Sequence, residues 1–304
     1  QPCRTISRAV TFAIGTRRTI RVADGQYTGF DIRTSGGPIL VSGEDAAPGG
    51  AQITPGNNDA VSLDPGSVAV IEGLSFVDSQ SDGIVSRGDL TLYRVAISNS
   101  QQAGIDARNG ALTISESAIS GSRLNGIFAN DAKLDLQRSV VVGNTGGGLN
   151  LSNCDFTITN TIIGNNGAPT SANGGMISSN NLSAVQVFRF NTVAGNRNAG
   201  GSGNNPGVNC NTPLAIESSI LASNGTSSQM SANCSASYSL FTGNLPTGAG
   251  NLVGAPGFVS ASDFHITAGS PARNAADPSA AEARDVDNQG RTDGQPDIGA
   301  DEVP

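Results

Sequence analysis

Tryptophan is absent from the 304 residues, and histidine and lysine each occur once, as His265 and Lys133. Only 14% of the residues are charged, and 25 acids against 17 bases leave a net charge of −8. A chain so poor in cations is not built to bind nucleic acid by neutralising phosphates. No apolar run approaches the ~20 residues that cross a bilayer, so no transmembrane segment is expected. The four cysteines include no pair two to four residues apart, which excludes a zinc-ribbon or zinc-finger spacing. Methionine is missing from the first position. Starting at Gln1, the chain is expected to be an exported protein whose signal peptide has been removed, although a cleaved tag would leave a similar start. Glycine, by contrast, is abundant at 40, and 37% of the residues are hydrophobic. Those apolar residues fall in short regular clusters, which is not a disordered composition.

The clusters recur every 22 residues. Leu90, Leu112, Leu134 and Phe156 share one position, and Leu92, Ile114, Leu136 and Ile158 the next. Ile97, Ile119, Val141 and Ile163 share another, while Ile105, Ile127 and Leu149 each follow a glycine. Gly83-Ile84 belongs to an earlier copy, one residue out of step, and "TIIGNN", "TVAGNR" and "SILASN" keep the cadence later. Each copy therefore holds three short alternating segments, L-x-L, V/S-x-I and G-I-x-A, without helical periodicity. Such strands cannot bury an apolar face within one copy. Stacking copies solves this, because each strand pairs with its equivalent one turn on, ~4.8 Å away. The expected fold is all-β: a parallel β-helix, a three-sheet solenoid with ~22-residue coils. A sandwich or propeller competes, but the strands are too short for blades and two-residue hairpin turns are lacking.

A solenoid needs closed ends. In "RTISRAVTFAI", Ile6, Ala9, Val10 and Ala13 share one helical face, suited to plugging the first coil. From about residue 246 the repeat gives way to Pro, Asp and Gly, as in a loop-rich cap lying back over the last coils. The division expected is thus a capping helix over 1–18, the β-helix over 19–245 and a C-terminal cap over 246–304. Cys210 and Cys234 enclose a Gly/Asn/Ser-rich loop, and a disulfide joining them is expected to contribute ~3 kcal/mol. Cys3 and Cys154 fall in different parts of the repeat and are not expected to pair.

"CRTISRAV…TIRVADGQYTG" resembles the opening of bacterial right-handed parallel β-helix proteins of the pectate-lyase-like superfamily. "GSPARNAADP…DNQGRTDGQPDIGADE" resembles the C-terminal region of the secreted choice-of-anchor Q proteins, as does the Cys210–Cys234 region. The resemblance implies a right-handed coil and a secreted or cell-surface bacterial protein, and it specifies no reaction. The N-T-D, D-D, G-H and R-x-K set by which pectin hydrolases resemble one another is incomplete here, and fold alone supplies no activity.

Alternation predicts which side chains of the G-I-x-A sheet face outward. The outward column is Val85, Asp106, Phe128 and Asn150, beside Arg87, Arg108, Asn130 and Ser152. An aromatic face among planar polar groups suits a sugar ring, so Arg87, Asp106, Arg108, Phe128, Asn130 and Asn150 are candidate glycan-binding residues. Arg87 and Arg108 are expected to hold a uronate or sulfate through paired N–H donors. Asp106, Arg108 and Asp82 are the catalytic candidates if the face works as a lyase or as a hydrolase, which needs two carboxyl groups. An ordinary solvated strand face is the alternative. A second run, Arg87, Asp89, Asn109, Asp131, Lys133, Asn153 and Asp155, reads as mutual charge satisfaction in a turn. In "DVDNQGRTDGQPDIGADE", Asp285, Asp287 and Asp293 offer hard oxygens at a spacing suited to calcium, although the run departs from an EF-hand, and a polar capping loop is the alternative. His265 is given a structural role. The sequence supports a monomeric, secreted or cell-surface binding and structural protein, an adhesin recognising an extracellular polysaccharide. The alternative is a polysaccharide lyase or hydrolase, and no cofactor is required apart from that calcium.

Overall fold

The computed structural model describes residues 3–13, 15–33, 37–45, 47–180, 185–199, 206–225, 228–280, 282–291 and 295–304. Its strands form three parallel sheets of ten, eleven and eight members among the described residues. A coil runs from the third sheet to the first and then the second, as in Ile105–Arg108, Ala111–Ser115 and Ala118–Ser120, before Asn125–Asn130 returns to the third. The strand register follows the sequence period: Leu90 pairs with Leu112, Leu112 with Leu134, and Leu134 with Phe156. Ile84, Ile105, Ile127 and Leu149 likewise stand one above another in the third sheet. All four are fully buried and line one continuous core. This is a parallel β-helix.

Corners fix the register as firmly as the core does. Between the first and second sheets Arg94, Glu116, Arg138 and Asn160 take φ of 49°, 50°, 43° and 49°. A left-handed residue makes the tight turn in each coil, and asparagine and aspartate tolerate it best. Arg94 donates to Glu116 at 2.8 Å, and Arg138 approaches the same carboxylate at 3.7 Å, an ion-pair ladder up one edge. The glycines just before strands of the third sheet, Gly83 and Gly104 among them, are there for closeness. A Cβ on Gly104 would stand 2.6 Å from the Gly126 carbonyl oxygen and equally near Ile119 Cγ2.

An interior asparagine ladder runs along the later coils. Asn144, Asn166, Asn196 and Asn224 are fully buried. Each side-chain N–H donates to the next residue's Oδ1 at 3.0, 3.1 and 2.9 Å, and the last donates to Gln229 at 2.9 Å. The same Oδ1 atoms also accept backbone N–H groups, so these buried amides are paired as burial requires.

At the N-terminus a helix, Ile6–Thr11, starts from Thr5, whose hydroxyl accepts the Arg8 N–H. Ile6 and Ala13 are buried against the first coil. At the other end, residues beyond Leu252–Val253 fold back onto the second sheet. Phe264, Val286 and Ala300 pack on Ile162 and Ala194. Arg291 and Glu302, 1% and 2% exposed, pair at 2.7 Å. Arg291 also donates to Asn160 and stacks on Phe190, which ties this segment to the coils. Cys210 and Cys234 form a disulfide, while Cys3 is free and exposed and Cys154 free and buried.

Candidate functional site

The outer face of the third sheet carries the column Ser62, Val85, Asp106, Phe128, Asn150, Ile177, Asn209, set by the strand register. Phe128 is half-buried at its middle, and Asn130 and Asn150 are half-buried beside it. Asp106 points outward yet is covered, its side chain 11% exposed. The cover is arginine. Arg108 donates from Nε and Nη2 to both Asp106 oxygens at 2.9 Å each. Arg87 adds Nη1 contacts to Oδ1 and to the Asp106 carbonyl at 3.3 and 3.4 Å. The Arg108 guanidinium carbon lies 5.1 Å from the centre of the Phe128 ring. Stacking and pairing thus hold the guanidinium as one planar unit with the ring.

This arrangement bears on the expected uronate clamp. The forked N–H pair that a carboxylate ligand would need is already engaged by Asp106, two residues away on the same strand face. Arg87, Asp106, Arg108, Phe128, Asn130 and Asn150 therefore come together, but as a self-paired platform instead of an open cationic pocket. Asn130 Nδ2 is turned to Asp131, which also accepts from Asn153 at the neighbouring corner.

Asp82 lies in the turn before Gly83. Its Oδ1 accepts the Ala103 N–H at 2.7 Å, and its own N–H goes to Asp59 at 3.0 Å. Burial pushes its pKa up; the Ala103 bond opposes this, Asp106 and Asp59 reinforce it, and Arg87 opposes it. In the turn between the third and first sheets, carboxylates brace the next coil: Asp89 accepts the Ala111 N–H and Asp155 that of Val185.

Of the three calcium candidates, the structure describes Asp285 and Asp287. Asp285 is buried, and both its oxygens accept backbone N–H groups, those of Asp287 and Gln289 on Oδ1 and that of Glu302 on Oδ2. Its carboxylate shapes the turn. Burial raises its pKa. Asp293 lies outside the described residues. Asp287 instead meets His265 and Asp301, with donor atoms of the three within 4.8 Å of one another. Burial opposes the charge on His265, yet the Asp263 hydrogen bond together with Asp287 and Asp301 raises its pKa overall. The sequence signals only the Asp263–His265 pair, because the alternation of Asp263-Phe264-His265-Ile266 places these two on one side, while Asp287 and Asp301 come in through the fold.

The family described as right handed beta helix region matches residues 52–212. The crystal structure of pectate lyase Pel9A is similar, with a TM-score of 0.57 and 15% identity over 98% of this chain and 90% of that chain. At that identity the likeness shows the fold alone. The curated proteins contain no match.

Proposed function

The chain belongs to the right-handed beta helix family, and from that premise we propose that it is a secreted or cell-surface binding module, an adhesin whose third-sheet face takes a glycan. The observation that carries this reading is Phe128. Its ring is set half-exposed in the centre of a long flat sheet face, with one guanidinium stacked on it and the amides of Asn130 and Asn150 alongside. A sugar presents C–H faces to an aromatic ring and hydroxyls to planar polar neighbours. Because Asp106 engages Arg108 from both oxygens, the face is suited to an uncharged stretch of sugar more than to a uronate. The Cys210–Cys234 bridge supports an oxidising, extracytoplasmic setting. Among the described residues no helix is long and apolar enough to cross a membrane. A pectate lyase wears the same fold, which supports seeking a polysaccharide partner.

Binding to an array of neutral and acidic glycans tests this. Phe128→Ala is expected to weaken the captured glycan by about tenfold or more, roughly 1.4 kcal/mol. Unchanged binding in that variant removes the site.

One observation favours the enzymatic alternative. Asp82 has a raised pKa within reach of Arg87 and Asp106, and perturbed carboxyls gather at catalytic sites. Incubation with acidic polysaccharides, following unsaturated-uronate absorbance and reducing ends, separates the two. Turnover abolished by Asp82→Asn would replace the binding reading; retained glycan binding without turnover is expected.

A further inference from the structure

The only histidine of the chain sits in a setting that a structural role does not fully explain. Phe264 and Ile266 are buried, so Asp263 and His265 share the opposite side of their strand-like stretch. His265 Nδ1 is in hydrogen-bond contact with Asp263 Oδ1. An ionised carboxylate only accepts, so the Nδ1 proton points to Asp263 and the neutral ring presents its lone pair at Nε2. That nitrogen is buried and has no hydrogen-bond partner. It nevertheless lies 3.0 Å from Asp287 Oδ2, and Asp301 supplies a third donor atom within 4.8 Å of both. Three electron-rich atoms facing one another repel, and a buried unpaired nitrogen is costly. A proton on Nε2 or a metal cation at their centre relieves both, and the two compete for the same lone pair.

We infer that His265 Nε2, Asp287 and Asp301 form a binding site for a divalent transition-metal ion of zinc's class. One imidazole and two carboxylates suit zinc, whereas calcium takes oxygens only. Asp263 plays the part that a carboxylate behind a ligating imidazole plays elsewhere, fixing tautomer and ring orientation. Asp287, its side chain 47% exposed, leaves a way in from solvent. A cavity of about 280 Å³ adjoins it, lined by His265, Asp287, Glu116 and Arg138. The ligands come from three separate segments of the C-terminal region. Two of them neighbour Phe264 and Val286, which pack on the second sheet. The ion would therefore tie this region to itself just where it grips the rod. The site is independent of the Phe128 face.

The test uses the full chain without added histidines, stripped with EDTA and titrated calorimetrically with zinc chloride. One zinc per chain is expected, with a Kd below about 10 μM. His265→Ala and Asp287→Asn should each weaken it about tenfold or more. Because the chain has one histidine, the carbethoxyhistidine absorbance formed by diethyl pyrocarbonate reports on that residue alone and needs no variant; zinc should slow its appearance in the wild type. The inference is overturned by zinc that leaves modification unprotected, by affinity that survives both substitutions, or by calcium competing equally. The nitrogen then carries a proton, and the cluster is an ion pair only.

Discussion

Along the second sheet the outer face changes character while the inner one does not. Inside, Ile97, Ile119, Val141, Ile163 and Val193 stand in register, all buried. Outside, Ala96–Ser98 and Ala118–Ser120 present alanine and serine that are half-buried or exposed. Ile162–Gly164, Thr192–Ala194 and Ile220–Ala222 are buried on both faces. The difference is the C-terminal segment, whose Phe264, Ile266, Ile298 and Ala300 cover the later strands. The interior of a solenoid repeats because each coil packs on its like, whereas the exterior records what each coil meets. A strand covered on one face alternates, and one covered on both reads as an apolar run. On the outer face of the third sheet Phe128, Asn130 and Asn150 are half-buried, unlike these later strands.

The comparison is broken hardest by removing the anchor of the cover. Arg291→Ala removes the guanidinium paired with buried Glu302, and an expected loss of about 3–5 kcal/mol should appear in denaturant unfolding. Amide exchange should quicken at Ile162–Gly164 and Thr192–Ala194 while Ala96–Ser98 stays protected. Equal quickening along the whole rod would mean that the cover does not act locally. Reducing the Cys210–Cys234 bridge, which closes a separation of 24 residues at the covered end, is expected to cost about 3 kcal/mol by loop entropy. Thermal melts with and without reductant measure it. A smaller change is expected in cysteine chemistry. Burial raises the Cys154 thiol pKa, so iodoacetamide should label exposed Cys3 in the native protein and spare Cys154.

How far the sequence carried this reading depends on period. Where coils keep 22 residues, Ile105, Ile127 and Leu149 reveal the stack, and alternation alone places Asp106, Phe128 and Asn150 in one outward column. The same alternation puts Asp106 and Arg108 on one face of one strand, so their pairing is legible in the sequence. The asparagine ladder was hidden because its spacing passes from 22 to 30 and then 28 residues as the loops lengthen. Asp285 shows the limit in the C-terminal segment. A D-x-D run beside glycine reads equally well as cation ligands or as turn acceptors, and only the fold decides, by aiming the N–H groups of Gln289 and Glu302 at it.

The finest test of covered against open lies at a single ladder position. Ser98, Ser120, Val142, Gly164 and Ala194 occupy it in successive coils. At Gly164 an added Cβ would stand 2.2 Å from Phe264 Cε2, so glycine is there to let the ring lie flat on the sheet. Gly164→Val is therefore expected to cost about 1–3 kcal/mol through overpacking. Shrinking the ring with Phe264→Ala in the same chain should recover part of that, with a coupling of about 0.5–3 kcal/mol. The same valine at half-buried Ser120 should change stability by no more than about 0.5 kcal/mol. If both valines cost alike, the backbone of the coil and not the ring above it dictates the residue, and the contrast between the two stretches loses its cause.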